Sequence, residues 1–411
     1  MIKLKQRTIL KFTSTLFFLF IFLNDHTFYS DFFESTGSYF LIIAVAFLAL
    51  SIFVVRVITL DFRMCLVFLG WAVCVLVPCA IAGVTPLVFV RFCYWIALLI
   101  MLIVLEKADI DYRESLLCAV KILCVWCFVC YFYTLFGFDF LPVTNVSDKL
   151  LYNWYKVKLN GYLIYKNLVT FSLGGFSVIK LYSPIGEPGI ACMYFNFAVI
   201  WLLFFSDLSK KENKRWVFFF STAILLSLSM IGILVFFSVL IVYAVKERKY
   251  AVIFFLSVPI VVFSAILIIQ KLGTQSYTQR SSDYAVMFDV ILKNLPFGIG
   301  LGNIDSVQKL SALAKNADSM GFYCGLLYPF VQYGVFGIVY YYMVYIAFRN
   351  FSGDRFARFA FFMYFFLTLL TQPQADECFI LSFVFAGIMK HFQSDSYHQE
   401  GREKSLVKPT V

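Results

Sequence analysis

Long apolar stretches recur along this chain, and they constrain its fold more than any other feature. An apolar helix of about 20 residues is long enough to cross the hydrocarbon core of a bilayer. The sequence therefore predicts an all-α, polytopic membrane protein with about twelve transmembrane helices. The spans that we predict are 8–23, 39–55, 64–81, 92–105, 116–137, 189–206, 216–229, 230–245, 250–269, 321–347, 359–371 and 377–389.

Composition excludes a soluble protein. The chain is 62% hydrophobic and 14% charged, whereas a soluble domain carries about 25% charged residues. The net charge of +10 does not indicate nucleic acid binding, because the basic residues lie in short groups between the apolar runs. We therefore expect the lipid bilayer as a partner and no nucleic acid. Most of the eleven cysteines lie inside apolar runs, where they pack as small apolar side chains.

The distribution of Lys and Arg predicts the topology, because cytoplasmic segments are enriched in positive charge. The segments that we place inside carry 21 Lys or Arg and comprise the N-terminus, 56–63, 106–115, 207–215, 246–249, 348–358 and the tail from residue 390. The short outward loops 24–38, 82–91 and 372–376 carry only Arg91. We therefore predict two cytoplasmic termini, a single transmembrane domain over 1–389, and a disordered cytoplasmic tail over 390–411. The same rule makes 216–245 a hairpin, since basic groups flank both of its ends.

Two segments, about 138–188 and 270–320, are too polar for lipid and too long for turns. Both fall on the outer face in this topology. Irregular backbone close to a membrane usually lines or covers a site, so we expect the functional residues there.

The first candidate motif ends the first large loop at residues 183–189, Ser-Pro-Ile-Gly-Glu-Pro-Gly. Proline disfavours helix in the residue before it and suits the first helical position, so Glu187 is predicted at a helix N-cap. A carboxylate or an anionic ligand is stabilised there by the helix dipole. A plain helix start explains the same residues, and both interpretations stay open.

The second motif lies in the second large loop. It begins at Arg280, whose guanidinium can hold a phosphate by bidentate hydrogen bonds, and continues through Asp283 and Tyr284. Residues 284–294 are predicted to form a short amphipathic helix lying on the bilayer and ending before Pro296. Residues 298–303, Gly-Ile-Gly-Leu-Gly-Asn, then allow tight turns or close backbone approach. A glycine-rich turn that returns the chain to the membrane is the structural alternative.

The third motif is Asp318-Ser319, ahead of a long apolar helix that contains Gly334 and Gly337. Asp318 is either a helix cap or a catalytic carboxylate. Asp109-Ile-Asp111 matches a metal-binding pattern of nucleotide-sugar transferases, but it lies in a short cytoplasmic loop without a surrounding domain. We predict no metal site and no cofactor.

In their order and topology these elements resemble the O-antigen polymerase family of bacterial inner-membrane enzymes. The elements are Glu187-Pro188, the hairpin at 227–232, Arg280, 296–300 with Pro-Phe-Gly-Ile-Gly, and Asp318-Ser319. The chain departs from the family in two respects. An Arg usually precedes the Glu-Pro element, where this chain has Lys180. The similar O-antigen ligases carry a histidine in the second loop, where this chain has none.

The resemblance implies a metal-independent glycosyltransferase that polymerises undecaprenyl-diphosphate-linked oligosaccharide units on the periplasmic side of the inner membrane. The expected catalytic residues are Glu187, Arg280 and Asp318. The expected substrate-binding residues are Lys180, Asp283, Tyr284, Gly298, Gly300 and Asn303. A chain-length regulator and a flippase are the expected protein partners. An O-antigen ligase, or a flippase for the same lipid-linked glycan, is the alternative.

Overall fold

The protein is mostly helical and carries several helices suited to a membrane. The computed structural model describes residues 4–26, 37–55, 62–84, 86–138, 143–145, 158–160, 164–165, 170–173, 176–251, 275–301, 303, 324–370 and 377–406. Six helical segments in this part are long and apolar enough to cross a membrane: Leu4–Leu23, Cys65–Ala82, Val88–Lys107, Tyr112–Leu135, Pro188–Phe205 and Tyr328–Phe351. Shorter apolar helices cover Tyr39–Val55, Met230–Lys246 and Cys378–Phe392.

The helices follow the predicted apolar runs closely. They are α1 (Leu4–His26), α2 (Gly37–Val55), α3 (Phe62–Ala82), α4 (Pro86–Lys107), α5 (Tyr112–Leu135), α6 (Pro188–Phe205), α7 (Lys211–Ser227), α8 (Met230–Lys246), α9 (Gln275–Lys293), α10 (Tyr328–Tyr333), α11 (Gly337–Phe351), α12 (Arg355–Leu369) and α13 (Cys378–Leu406). Eleven of the predicted spans overlap a helix, and the span 250–269 lies almost wholly outside the described residues.

The predicted span 321–347 is broken in the structure. Helix α10 stops at Tyr333, a 3₁₀ turn covers Gly334–Phe336, and α11 continues from Gly337. The break occurs because Gly334 adopts a φ of +56°, which a helix cannot accommodate.

The first large loop contains strands, so the prediction of an all-α chain is wrong in this loop. Strands β1 (Val143–Asn145), β2 (Lys158–Asn160) and β3 (Ile164–Tyr165) form one antiparallel sheet in sequence order. Strands β4 (Thr170–Leu173) and β5 (Phe176–Ile179) form a second pair. Leu173 pairs with Phe176, and the two residues between them in the sequence are Gly-Gly, a pair that favours tight hairpins.

The last helix is longer than predicted. Helix α13 continues to Leu406, so it extends through residues 390–406 of the predicted tail. The polar residues 399–404, Gln-Glu-Gly-Arg-Glu-Lys, are mainly good helix formers, and a helix already formed extends more easily than a new one begins.

Segments predicted on one side of the membrane contact one another. At the predicted inner end, Lys246 pairs with Asp354 at 2.7 Å and Arg113 donates to the Phe351 carbonyl at 3.3 Å. At the predicted outer end, the Asn303 amide donates to the Gly83 carbonyl at 3.2 Å. The helices that connect these segments therefore run between two distinct ends of the bundle.

An aromatic core joins α1, α6 and α13. The Phe379 ring lies 4.7 Å from that of Tyr194 and 5.4 Å from that of Phe22, and all three side chains are buried. Many large apolar side chains face outward instead, among them Phe53 (74% exposed) and Phe218 (73% exposed). Such an apolar exterior is stable when lipid surrounds it, which explains the high hydrophobic content.

Candidate functional site

The segment that precedes α6 is irregular in backbone and buried among helices. The Leu181 amide donates to the Leu226 carbonyl at the end of α7 at 3.0 Å. The Cys127 thiol of α5 donates to the Tyr182 carbonyl at 3.6 Å. Tyr182 and Ser183 have no exposed surface. The end of the first large loop is therefore inserted between α5 and α7.

This insertion reaches well below the end of α5. Cys127 precedes the last residue of α5, Leu135, by eight positions, which corresponds to about 12 Å along a helix. Backbone without regular structure is tolerated at membrane depth only where protein buries it or where it lines a cavity. The geometry therefore identifies residues 181–187 as an irregular segment buried within the helix bundle.

The hairpin between α7 and α8 supports the start of α6. Leu228 ends α7 in a left-handed conformation, and the Ser229 hydroxyl accepts the Gly232 amide as the N-cap of α8. A Cβ atom at Gly232 would lie 2.3 Å from that of Cys192 in α6, so only glycine permits this contact. The Asn196 amide, also in α6, donates to the Gly232 carbonyl at 2.9 Å. The hairpin predicted at 227–232 is thus present and fixed against α6.

Glu187 occupies the N-cap position of α6, as the sequence predicts. Its backbone is extended (φ −142°, ψ 140°) and Pro188 begins the helix, yet its carboxylate makes no capping hydrogen bond. Lys180, at the end of β5, is half-buried. Burial lowers the pKa of the Lys180 amino group, and the negative charge of Glu187 partly opposes this shift. The predicted carboxylate and a predicted cation are therefore close enough to interact.

Helix α9 carries Arg280 and Asp283, and it is longer than the helix predicted over 284–294. The side chains of these two residues lie outside the described part of the structure. The Tyr284 hydroxyl donates to the Leu370 carbonyl after α12 at 2.6 Å, which anchors α9 to the bundle. Phe288 and Leu292, one and two turns further along α9, are exposed, as expected for a helix lying on a bilayer.

The glycine segment after α9 packs against the break between α10 and α11. The Gly298 and Gly300 backbones have φ values of +73° and +75°. The Gly300 amide donates to the Gln332 carbonyl at 2.9 Å, and the Val335 amide donates to the Pro296 carbonyl at 2.8 Å. Two motifs that are distant in sequence thus form one interlocked unit, in which Gly298 and Gly300 have packing roles.

Two further predicted site residues are Asn303 and Asp318. The Asn303 amide donates to the Gly83 carbonyl at 3.2 Å and to the Ile299 carbonyl at 3.0 Å, so it secures the glycine segment to the end of α3. Asp318 lies outside the described residues, and its predicted role is untested.

Sequence reasoning did not identify an ion pair at the predicted outer end of the bundle. Arg91 in α4 contacts Glu377, the residue before α13, with 3.1 Å between Nη1 and Oε1. The side chains are 23% and 4% exposed, respectively. The available signal was that Arg91 is the only basic residue in the short outward loops.

A cavity of about 400 Å³ lies at the opposite end of the bundle, beside the Asp109-Ile-Asp111 pattern. Asp111 accepts hydrogen bonds from the Arg113 guanidinium at 2.8–3.1 Å, and Asp109 lies 3.7 Å from Arg7. Because both carboxylates face arginines, this pattern is better explained by ion pairing than by metal binding.

Neither a metal cluster nor a known relative identifies the site. Within the described ranges, no group of three or more His, Cys, Asp or Glu residues could hold a metal ion. No family model, no curated protein and no solved structure is significantly similar to this chain.

Proposed function

We propose that the protein polymerises undecaprenyl-diphosphate-linked oligosaccharide repeat units into O-antigen or a related surface polysaccharide. The observation that carries this proposal is the inserted segment 181–187, which brings Glu187 and Lys180 together at the outer end of a membrane bundle. The order of the motifs, which resembles that of O-antigen polymerases, supports the same function.

The reaction would join two lipid-linked glycans. A hydroxyl of the acceptor glycan attacks the anomeric carbon of the donor glycan, and the bond from that carbon to the diphosphate oxygen breaks. The hydroxyl proton passes to a carboxylate, for which Glu187 and Asp318 are the candidates. Lys180 and Arg280 stabilise the negative charge that develops on the departing diphosphate. The diphosphate bond supplies the energy, so the reaction needs no nucleotide.

The proposal includes a topology of twelve spans in the bacterial inner membrane, with both termini cytoplasmic and the loops 138–188 and 270–320 periplasmic. The grouping of inner and outer segments at the two ends of the bundle supports it. In this arrangement the site faces the compartment in which flipped lipid-linked repeat units are exposed, and a flippase and a chain-length regulator would be its partners.

A strain that lacks the protein tests the function. Its lipopolysaccharide or capsule should carry a single repeat unit in place of the long chains of the parent strain. Loss of all repeat units would contradict polymerisation and would favour a ligase or a flippase.

A further inference from the structure

The ion pair between Arg91 and Glu377 lies inside the outer end of the helix bundle. Arg91 is the sixth residue of α4, which places it about 8 Å from the start of that helix. The fully buried Trp95 follows one turn deeper. Arg91 is also the fourth residue of the apolar segment Val88–Lys107, and charged side chains in such a segment usually mark a functional site when they face the bundle interior. Because a buried ion pair seldom adds net stability, a purely structural role explains this pair poorly.

The start of α13, beside Glu377, packs against α6, the helix that Glu187 begins. Glu377 immediately precedes α13, and the Phe379 ring two residues later lies 4.7 Å from the ring of Tyr194 in α6. Tyr194 lies seven residues after Glu187, or about 10 Å along the helix. The start of α13 therefore packs against α6 about 10 Å along that helix from Glu187, and each of the two helices is preceded by a glutamate.

The proposed reaction requires more than one anion site at this face. Donor and acceptor each carry a diphosphate, and both lipid anchors must be held while their glycans react. The ammonium group of Lys180 is a point charge, and it cannot replace a bidentate guanidinium fork. Arg91 presents such a fork from another helix at the same predicted end of the bundle.

We propose that Arg91, oriented by Glu377, binds the diphosphate of a polyprenyl-linked substrate. The inference rests on the proposed function and adds a binding residue to it. A guanidinium has five N–H donors, so it can contact Glu377 and a phosphate group at once. Arg91 is also the more accessible member of the pair, at 23% exposure against 4% for Glu377.

Binding of undecaprenyl diphosphate to the purified full-length protein in lipid nanodiscs tests the proposal. The informative variant is Arg91→Met with Glu377→Met, because apolar replacement of both partners leaves no unpaired buried charge and preserves folding. We expect its affinity to fall about 10- to 100-fold, the effect of losing charge-assisted hydrogen bonds. The control is Lys246→Met with Asp354→Met, which removes a 2.7 Å ion pair at the inner end and should leave affinity unchanged.

Wild-type affinity in the Arg91→Met, Glu377→Met protein would overturn the proposal while leaving the polymerase function intact. Restored long glycan chains in a strain carrying this double variant would do the same, because they would show a structural pair only. Failure of the function itself looks different: undecaprenyl diphosphate would then bind neither the wild type nor the inner-end control, and both proposals would fall.

Discussion

Glu187 is the residue for which a structural and a chemical role are most evenly balanced in the sequence. In the structure it has the N-cap position and the extended backbone of a cap, but its carboxylate does not accept a capping hydrogen bond. The preceding segment is held by Leu226 and Cys127, so the start of α6 does not depend on this carboxylate. Capping of α6 therefore does not explain why a glutamate occupies this position.

Replacing Glu187 by Gln should leave the protein in the membrane at its normal level but yield mostly single-repeat product. The amide keeps the size of the side chain and loses the base, which lowers the rate by about 10²–10⁴. The chain-length distribution of the surface glycan measures this effect. The matched control is Glu212→Gln, at the inner end, which should give normal chains. Full polymer from Glu187→Gln would leave Asp318 as the better candidate.

Lys180 should give the reaction a pH dependence. Burial lowers the pKa of this lysine, and only its protonated form can stabilise a diphosphate. Its contribution is therefore complete at low pH and is lost as the pH rises through that lowered pKa, earlier than for an exposed lysine. Lys180→Arg keeps its charge throughout, so its activity should persist at alkaline pH, whereas Lys180→Met should be weak at every pH.

Identical alkaline pH profiles of the purified wild-type and Lys180→Arg proteins would remove Lys180 from the mechanism. Because the charge of Glu187 raises the Lys180 pKa, Glu187→Gln should shift the residual profile to still lower pH. This second shift separates direct interaction of the two residues from independent effects.

Residue types alone singled out Glu187 and Lys180, but they did not predict which side chains contact one another. Tyr284 and Asn303 are predicted to contact substrate, but the sequence did not show that their side chains donate to backbone carbonyls of other elements. Such contacts depend on which helices become neighbours. For the same reason, the sequence did not reveal the ion pair between Arg91 and Glu377, because the two residues are distant in sequence and become adjacent only after folding.

At the scale of elements, helices were predictable because apolar runs have a length fixed by the membrane. The charge pattern also predicted the hairpin at 227–232, which the left-handed Leu228 and the Ser229 cap produce. The strands of the first loop were missed because strands of two to four residues carry little periodic signal. The one sequence signal for a hairpin there is the Gly-Gly pair between β4 and β5.

The interlocked glycines give a stability prediction for the unit formed by 296–300 and 331–335. Gly298→Ala should lower the free energy of unfolding of the detergent-solubilised protein by roughly 2 kcal/mol or more, and its melting temperature should fall accordingly. The added Cβ would lie 2.5 Å from the Gly334 nitrogen, at a φ of +73° that alanine disfavours. A melting temperature equal to that of the wild type would contradict the packing described here.

Two controls separate strain from collision in that experiment. Gly137 has a φ of +65° with open space around it, so Gly137→Ala should cost only about 1–2 kcal/mol of backbone strain. Gly70 lies in α3 with nothing within 4 Å and no unusual φ, so Gly70→Ala should have no destabilising effect.

At the scale of the whole molecule, the charge pattern predicted which segments lie at each end of the helix bundle. In the structure, segments assigned to the same end contact one another. Reporter fusions after Lys211 and Arg355 should be cytoplasmic, and fusions after Asp148 and Lys309 should be periplasmic. The physical reason is that cytoplasmic loops retain Lys and Arg, while the described outer segments contact one another at the opposite end. A cytoplasmic signal from both large loops would place the Glu187 site on the wrong side for periplasmic polymerisation.

Reconstitution of the purified protein with one undecaprenyl-diphosphate-linked repeat unit tests polymerisation most directly. Gel separation of the products should show a ladder of longer glycans, with one undecaprenyl diphosphate released for each new bond. The ladder should form without a nucleotide and in the presence of a metal chelator, and Glu187→Gln should largely abolish it. A substrate that remains a single repeat unit with the wild-type protein, or that only crosses the bilayer unchanged, would contradict a polymerase.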